Sequence, residues 1–169
     1  MREIGRDELK EILNKSWITH DAMWFRYCLE ECGIEATNRI NRAAIRSASR
    51  IEIVRLARLL GVERVESFEA LVRLLTGALT ILQADFMKFE CEFPEDGVLR
   101  WRTHRCFAYE GITKLGVIGQ YQCGIFERVQ GWVDALNLTY TVSPSVETCM
   151  MHTDGQCYRE FRFEFQGNP

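Results

Sequence analysis

The chain has 169 residues, of which 47% are hydrophobic and 27% charged, and its formal net charge is −3. This composition is typical of one globular domain, and neither half of the chain carries the strongly basic field that bulk nucleic-acid binding needs. No apolar run is long enough to cross a bilayer, and the N-terminus MREIGRDELKEILNK lacks the apolar core of a signal peptide. We therefore expect a cytoplasmic protein that binds neither nucleic acid nor membrane.

Helical periodicity dominates residues 1–83. Asp7 can cap a short first helix, and SWITHDAMWFRYCLEECG predicts a second helix that ends at Gly33. The stretch EATNRINRAAIRSASRIEIVRLARLLG predicts one or two further helices, ending at Gly61. Ser67 can cap the next helix, FEALVRLLTGALTILQ.

At Asp85 the pattern changes to the alternation of half-buried strands. DFMKFECEF and VLRWRTHRC predict one hairpin around the turn PEDG, and LTYTVSPSVETCMM and QCYREFRFEF predict another. Between the hairpins, the glycines of YEGITKLGVIG predict a loop. The stretch QYQCGIFERVQGWVDAL predicts a helix at about 119–136. The order predicts a single α+β domain over residues 1–169, with a helical N-terminal layer packed on an antiparallel sheet. We expect its core to contain Trp24, Phe89, Trp101, Trp132, Phe161 and Phe163.

Four arginines recur at spacings of three and four residues and so share one helical face. Our interpretation is a solvated outer face, and the alternative is a stripe that binds an anion or a partner. The four residues are Arg39, Arg42, Arg46 and Arg50.

Two polar groups are candidates for ligand binding. His20 and Asp21 lie near Trp24, so either can supply the polar group of an aromatic-lined pocket; the alternative is a core helix whose polar residues bond to their neighbours. His104 is two residues from Cys106 on a predicted strand, which places both on one face. A metal or nucleophile role competes there with an ordinary solvated sheet face.

The cysteines near the C-terminus are the candidate metal site. Cys149 and Cys157 bracket an Asp-Gly turn and are expected on paired strands, with Cys123 approaching from the preceding helix. A fourth ligand can come from His104, Cys106 or His152, and such a sulfur-rich set suits zinc or iron. The alternatives are thiols that only fill the core and a catalytic cysteine.

One charged residue lies among the apolar positions of the last predicted strand. Arg159 shares that strand's apolar face with Cys157 and the phenylalanines. A buried arginine needs an anionic partner, for which the sequence offers Glu147 or a ligand carboxylate. Arg159 is therefore a further candidate for ligand binding.

The stretch ETCMMHTDGQCYREF is similar to the closing motif of the vinyl-reductase-like ligand-binding domain. Glu147, Cys149, Gly155, Cys157 and Phe161 match that motif's glutamate, cysteine, glycine turn, second cysteine and aromatic residue. The same closing pattern occurs in L-2-amino-thiazoline-4-carboxylate hydrolase-like proteins. WITHDAMWF and ATNRINRAAIR, within residues 16–46, resemble a family of uncharacterised prokaryotic cytosolic proteins.

The resemblance implies a helical layer on an antiparallel sheet and a pocket for a small molecule, with closing cysteines linked to metal. We therefore expect a cytosolic protein that binds a small ligand or a metal ion. A cysteine- or metal-dependent hydrolase acting on a small C–N or C–S substrate is the first alternative. A non-enzymatic homodimer that associates through its Arg-rich helices is the second.

Overall fold

The computed structural model describes residues 2–62 and 64–165. Helices fill the first half of the chain, and strands follow in the second half, as the change of period at Asp85 predicts. The α+β fold is therefore confirmed. In chain order the elements are α1 (Arg6–Leu59), α2 (Phe68–Leu82), β1 (Lys88–Glu92), β2 (Val98–Arg105), α3 (Phe107–Lys114), a 3-10 turn (Ile118–Gln120), α4 (Gly124–Ala135), β3 (Thr139–Ser143), α5 (Met150–Thr153) and β4 (Cys157–Glu164).

Within the described part of the chain, one antiparallel sheet has the strand order β1-β2-β4-β3. The two predicted hairpins meet in its centre, where β2 pairs with β4. Trp101 lies opposite Arg159 and Thr103 lies opposite Cys157. This register matters for the site because it fixes which face of the sheet Cys157 and Arg159 share.

One face of the sheet forms the main core together with α2, α4 and the second half of α1. Trp101, Trp132 and Phe161 are at most 2% exposed, and Phe163 is 8% exposed, so these four core predictions are confirmed. Phe89 is partly buried and packs against the same cluster. Burial of each large apolar side chain contributes about 1.5–3 kcal/mol, which makes this layer the main source of stability.

A break at Gly33 divides α1 into two segments, residues 6–32 and 34–59. Gly33 has φ 72° and ψ 171°, a conformation that residues with a side chain rarely adopt. The predicted helix end at Gly33 therefore corresponds to a real interruption. On each side of the break the shorter predicted helices run together, so that residues 6–32 form one helix and residues 34–59 another.

The second segment of α1 packs unusually closely on α4. A methyl group at Gly131 would lie 2.0 Å from Ser49 Oγ and 3.2 Å from the Arg46 carbonyl oxygen. A methyl group at Gly124 would lie 2.5 Å from Ile45 Cδ1. The two glycines thus allow the helix backbones to approach each other.

Replacing Gly131 with alanine should lower the free energy of unfolding by about 2–3 kcal/mol, because the added methyl group overpacks this crossing. Urea unfolding followed by circular dichroism measures the change. Gly111→Ala on α3 is the control, since no atom lies within 4 Å of the added Cβ. Equal stabilities of the two variants would contradict the close approach.

Ion pairs surround the same helix crossing. Arg42 Nε donates to Glu127 Oε1 at 2.7 Å, and Arg46 Nη1 donates to Glu127 Oε2 at 3.0 Å. Glu127 is only 6% exposed, so two guanidinium groups offset one buried carboxylate. The interpretation of the arginine face as entirely solvated is therefore wrong for Arg42 and Arg46, while Arg39 and Arg50 are exposed.

Three further expectations need correction. Trp24 is 63% exposed and is not a core residue; its neighbour Phe25 is the buried one. The predicted loop after β2 contains α3. The third strand ends at Ser143, and Cys149 caps a short helix instead of lying on a strand paired with Cys157.

Among the helices that the structure describes, none combines the length and the apolar character needed to span a membrane.

Candidate functional site: a cavity lined by four thiols

Three of the seven cysteines occupy the same position in three different helices. Cys106, Cys123 and Cys149 are the N-cap residues of α3, α4 and α5. Unpaired backbone N–H groups at a helix start favour a negatively charged partner. At Cys106 the contact is visible, because the sulfur accepts a hydrogen bond from Tyr109 N at 3.5 Å.

Backbone pairing brings two of these caps together. Gln122 and Thr148 form an isolated antiparallel bridge, and Cys123 N donates to the Glu147 carbonyl oxygen at 2.7 Å. Cys123 and Cys149 each follow directly after a bridged residue. The starts of α4 and α5 therefore lie side by side.

Cys157 completes the group from the sheet. It is the first residue of β4, is 8% exposed, and lies opposite Thr103 on β2. The Thr103 hydroxyl forms a hydrogen bond to it that lowers the thiol pKa, against the larger effect of burial. Cys157 thus belongs to the sheet, whereas the other three cysteines of the group are at helix N-termini.

The four thiols line one cavity of about 10 Å³. We call it the thiol cavity. Tyr121, Phe126, Met150 and Arg159 also line it, and no histidine lies among the described lining residues. A volume of this size holds about one water molecule, so the cavity as it stands fits a single ion but not an organic ligand.

Burial keeps these thiols protonated. It raises the pKa of Cys106 to about 12 and that of Cys157 to about 11. Burial also raises the pKa of Cys123 and Cys149, while neighbouring backbone N–H groups lower both values. The negative charge that another thiol of the group would carry when deprotonated raises the pKa of Cys106, Cys123 and Cys157 further.

Arg159 is the one charged residue of the lining. It is 3% exposed, and its Nη1 and Nη2 donate to the carbonyl oxygens of Tyr158 and Val146 at 2.8 and 2.9 Å. Its guanidinium carbon lies 4.3 Å from the Phe126 ring centroid. Among the described residues no carboxylate forms a salt bridge with it. Burial lowers the Arg159 pKa, and the thiols Cys123 and Cys157 oppose that change.

Glu147 does not supply the charge that Arg159 lacks. Its Oε2 lies 3.2 Å from Arg42 Nη1, and its side chain is 65% exposed. Of the two partners that the sequence offers for Arg159, Glu147 instead pairs with Arg42. The buried Arg159 guanidinium therefore lacks a salt-bridge partner within the described ranges, although the charge of Asp154 raises its pKa.

Residues 2–161 match the model of a family described as a family of unknown function (DUF6125). The chain belongs to this family. No curated protein and no solved structure matches the chain significantly. The function of this DUF6125 member must therefore be inferred from its own residues.

Most of the ligand-binding candidates in this DUF6125 member lie outside the thiol cavity. His20 and Trp24 are exposed on α1, where Trp24 Nε1 donates to His20 Nε2 at 3.1 Å. Asp21 is also on the surface, and desolvation by nearby protein atoms raises its pKa against the effects of His20 and Arg128. Of the five candidates, only Arg159 lines the cavity.

Neither histidine proposed as a fourth ligand lines the cavity. His104 lies on the outer face of the sheet, with Nε2 2.8 Å from Glu90 Oε2. It does not share a face with Cys106, which is buried and lies beyond the end of β2. His152 is exposed on α5. Of the three fourth-ligand candidates, only Cys106 lines the cavity with Cys123, Cys149 and Cys157.

The sequence alone did not single out Cys106. Cysteine is not among the usual N-cap residues, so its position before FAYEG carried no capping signal. Within residues 2–62 and 64–165, no three histidine, cysteine or acidic side chains are already arranged as a set of metal ligands. The thiols surround a common space, and a bound ion would require their side chains to rotate toward it.

Proposed function

We propose that the thiol cavity binds one soft metal ion, zinc or iron, through Cys123, Cys149 and Cys157, with Cys106 as the fourth ligand. The observation that carries this proposal is the convergence of four thiols on a cavity of about 10 Å³ beside Arg159. Thiolates are preferred ligands of both metals. The expected small-ligand function is here narrowed to an ion because of the cavity's size.

Charge balance supports the same proposal. A divalent ion with three thiolates carries one net negative charge, and the buried guanidinium of Arg159 offsets it. With four thiolates, one negative charge is left, and the amides at the helix starts face it. A metal–thiolate group would give Arg159 the negatively charged partner that its carbonyl and aromatic contacts do not supply.

A metal-free cysteine nucleophile is the weaker alternative. Such a residue needs a lowered pKa and a neighbouring base. Here burial raises the thiol pKa values, and the described lining contains no histidine. The similarity to the vinyl-reductase-like closing motif supports binding rather than a particular reaction. A reducing compartment, the cytoplasm, belongs to the proposal, because all seven cysteines are free.

Metal reconstitution tests the proposal. Reduced protein incubated anaerobically with Zn²⁺ should retain one equivalent after desalting, as measured by elemental analysis. With Co²⁺ it should show sulfur-to-metal charge-transfer absorption. Cys123→Ser and Cys157→Ser should lose the metal, whereas Cys32→Ser should keep it because Cys32 is exposed on α1.

Acidity supplies a second readout. Each thiol that loses its proton on binding should increase the metal affinity about tenfold per pH unit below its pKa. The logarithm of the metal association constant should therefore rise by three or four for each pH unit between pH 6 and 8. Wild-type protein without stoichiometric metal, or Cys157→Ser protein with full metal content, would contradict the proposal and leave the thiols as core residues.

A further inference from the structure

The first segment of α1 exposes many apolar side chains on one side, with the polar residues Ser16 and His20 among them. Seven large apolar residues between positions 9 and 27 are each at least 41% exposed. At 100° per residue they fall within an arc of about 140° on one side of the helix. We call this surface the α1 stripe; its members are Leu9, Ile12, Leu13, Trp17, Met23, Trp24 and Tyr27.

The opposite side of this segment is already occupied by the protein itself. Phe25 is 8% exposed and packs against Tyr121, with ring centroids 5.9 Å apart. Lys10 Nζ donates to the Thr80 carbonyl oxygen at 3.2 Å, and the Asp85 amide donates to Glu11 at 3.1 Å. The segment is therefore held in place by its inner side, and the α1 stripe is its outer side, where Trp17, at the edge, contacts another described element through the Arg128 guanidinium 4.8 Å from its ring centroid.

We propose that the α1 stripe is the contact surface of a homodimer, in which the stripes of two copies pack antiparallel. The charges at the two ends of the α1 stripe indicate that the molecule binding there is a second copy of this chain. Arg6 and Glu31 project on the same side as the stripe, one at each end, and neither forms an ion pair with another described residue.

An antiparallel pairing centred between Trp17 and His20 satisfies both charges at once. It places Leu13 of one copy opposite Trp24 of the other and Arg6 opposite Glu31. By two-fold symmetry each of these contacts occurs twice. A parallel pairing would instead bring like charges together at both ends, and an anionic membrane would repel the end that carries Glu31.

The area available is adequate for such a contact. At roughly 200 Å² per aromatic side chain, the exposed parts of Trp17, Trp24 and Tyr27 alone amount to about 300 Å². With the aliphatic members the stripe approaches the ~800 Å² that each partner of a stable complex buries. The Arg-rich face of α1 is not available for this purpose, because Arg42 and Arg46 pair with Glu127 on α4.

Sedimentation velocity of the full chain over a concentration series tests the proposal, with a reversible dimer as the expected result. Leu13→Glu and Trp24→Glu should each raise the dimer dissociation constant by about 100-fold, since each change buries two charges per interface. Leu59→Glu is the control: Leu59 lies on the second segment of α1, is 72% exposed and is outside the stripe. Circular dichroism checks that every variant folds.

A charge exchange tests the orientation. Arg6→Glu alone should weaken the dimer about tenfold, and adding Glu31→Arg should restore it to within about threefold of wild type. A monomer at all concentrations, or a dimer insensitive to Leu13→Glu, would overturn the proposal. Wild-type protein that stays monomeric and instead cosediments with phosphatidylglycerol vesicles would overturn it too and assign the stripe to a membrane surface.

Discussion

Replacing Trp132 with alanine should lower the free energy of unfolding by about 3–5 kcal/mol, the range for losing a large aromatic side chain from a core. Trp132 is 2% exposed at the centre of the main core. Its Nε1 also donates to Glu52 Oε2 at 2.9 Å, so the variant loses a hydrogen bond to a carboxylate as well as packing. Chemical unfolding monitored by circular dichroism measures the loss.

Trp132→Phe separates the two contributions. It keeps most of the packing but removes the indole N–H, so about half of the alanine effect should remain. Leu59→Ala is the surface control and should change the free energy of unfolding by less than about 0.5 kcal/mol. A loss below about 1 kcal/mol in Trp132→Ala would mean that α4 contributes little to the core.

Alkaline conditions should unfold the metal-free protein. The pKa of Cys106 is about 12 and that of Cys157 about 11, whereas thiols in the unfolded chain titrate near ~8.5. The unfolded chain therefore releases these protons first as the pH rises. The stabilisation is complete below about pH 8.5 and is lost as the pH rises through 11 to 12, by about 3 kcal/mol per thiol at pH 11.

The decrease in the free energy of unfolding at alkaline pH should depend on the number of buried thiols. Burial also raises the pKa of Cys91 to about 12, although Cys91 lies on β1 outside the thiol cavity. Cys91→Val should therefore reduce the slope of unfolding free energy against pH by about one proton. An unchanged slope in Cys91→Val would mean that tyrosines and lysines, and not this thiol, cause the loss of stability at alkaline pH. Saturating zinc should suppress the part of the loss that comes from the cavity thiols in wild-type protein, because metal binding has already removed their protons.

Strand faces could be predicted from the sequence because alternation leaves few choices. Once Phe161 and Phe163 are assigned to the core, Cys157 and Arg159 must share their face, and all four are buried. A helix that is apolar on two sides offers no such constraint. Trp24 and Phe25 are about 100° apart, and composition alone does not indicate which of them turns inward.

The sequence predicts the thiol cavity only in part, because the cavity depends on helix N-termini for which the sequence carries no capping signal. Gly111 and Gly116 favour a loop in this part of the sequence, whereas the structure has the helix α3 at Phe107–Lys114. One signal in the sequence does limit the third strand. Pro144 follows the last residue of β3, and proline, which lacks an N–H, is a poor continuation of a paired strand. That residue already argued against extending the strand to Cys149.

The first segment of α1 connects the proposed metal site and the proposed dimer contact through its opposite sides. Phe25 on the inner side belongs, with Tyr121 and Cys149, to a small core cluster that borders the thiol cavity. The α1 stripe is the outer side of the same rigid element. Any effect of metal binding on dimer affinity is reciprocal: the factor by which metal changes dimer affinity equals the factor by which dimerisation changes metal affinity. The subunit equilibrium of this protein would then report whether its cavity is filled.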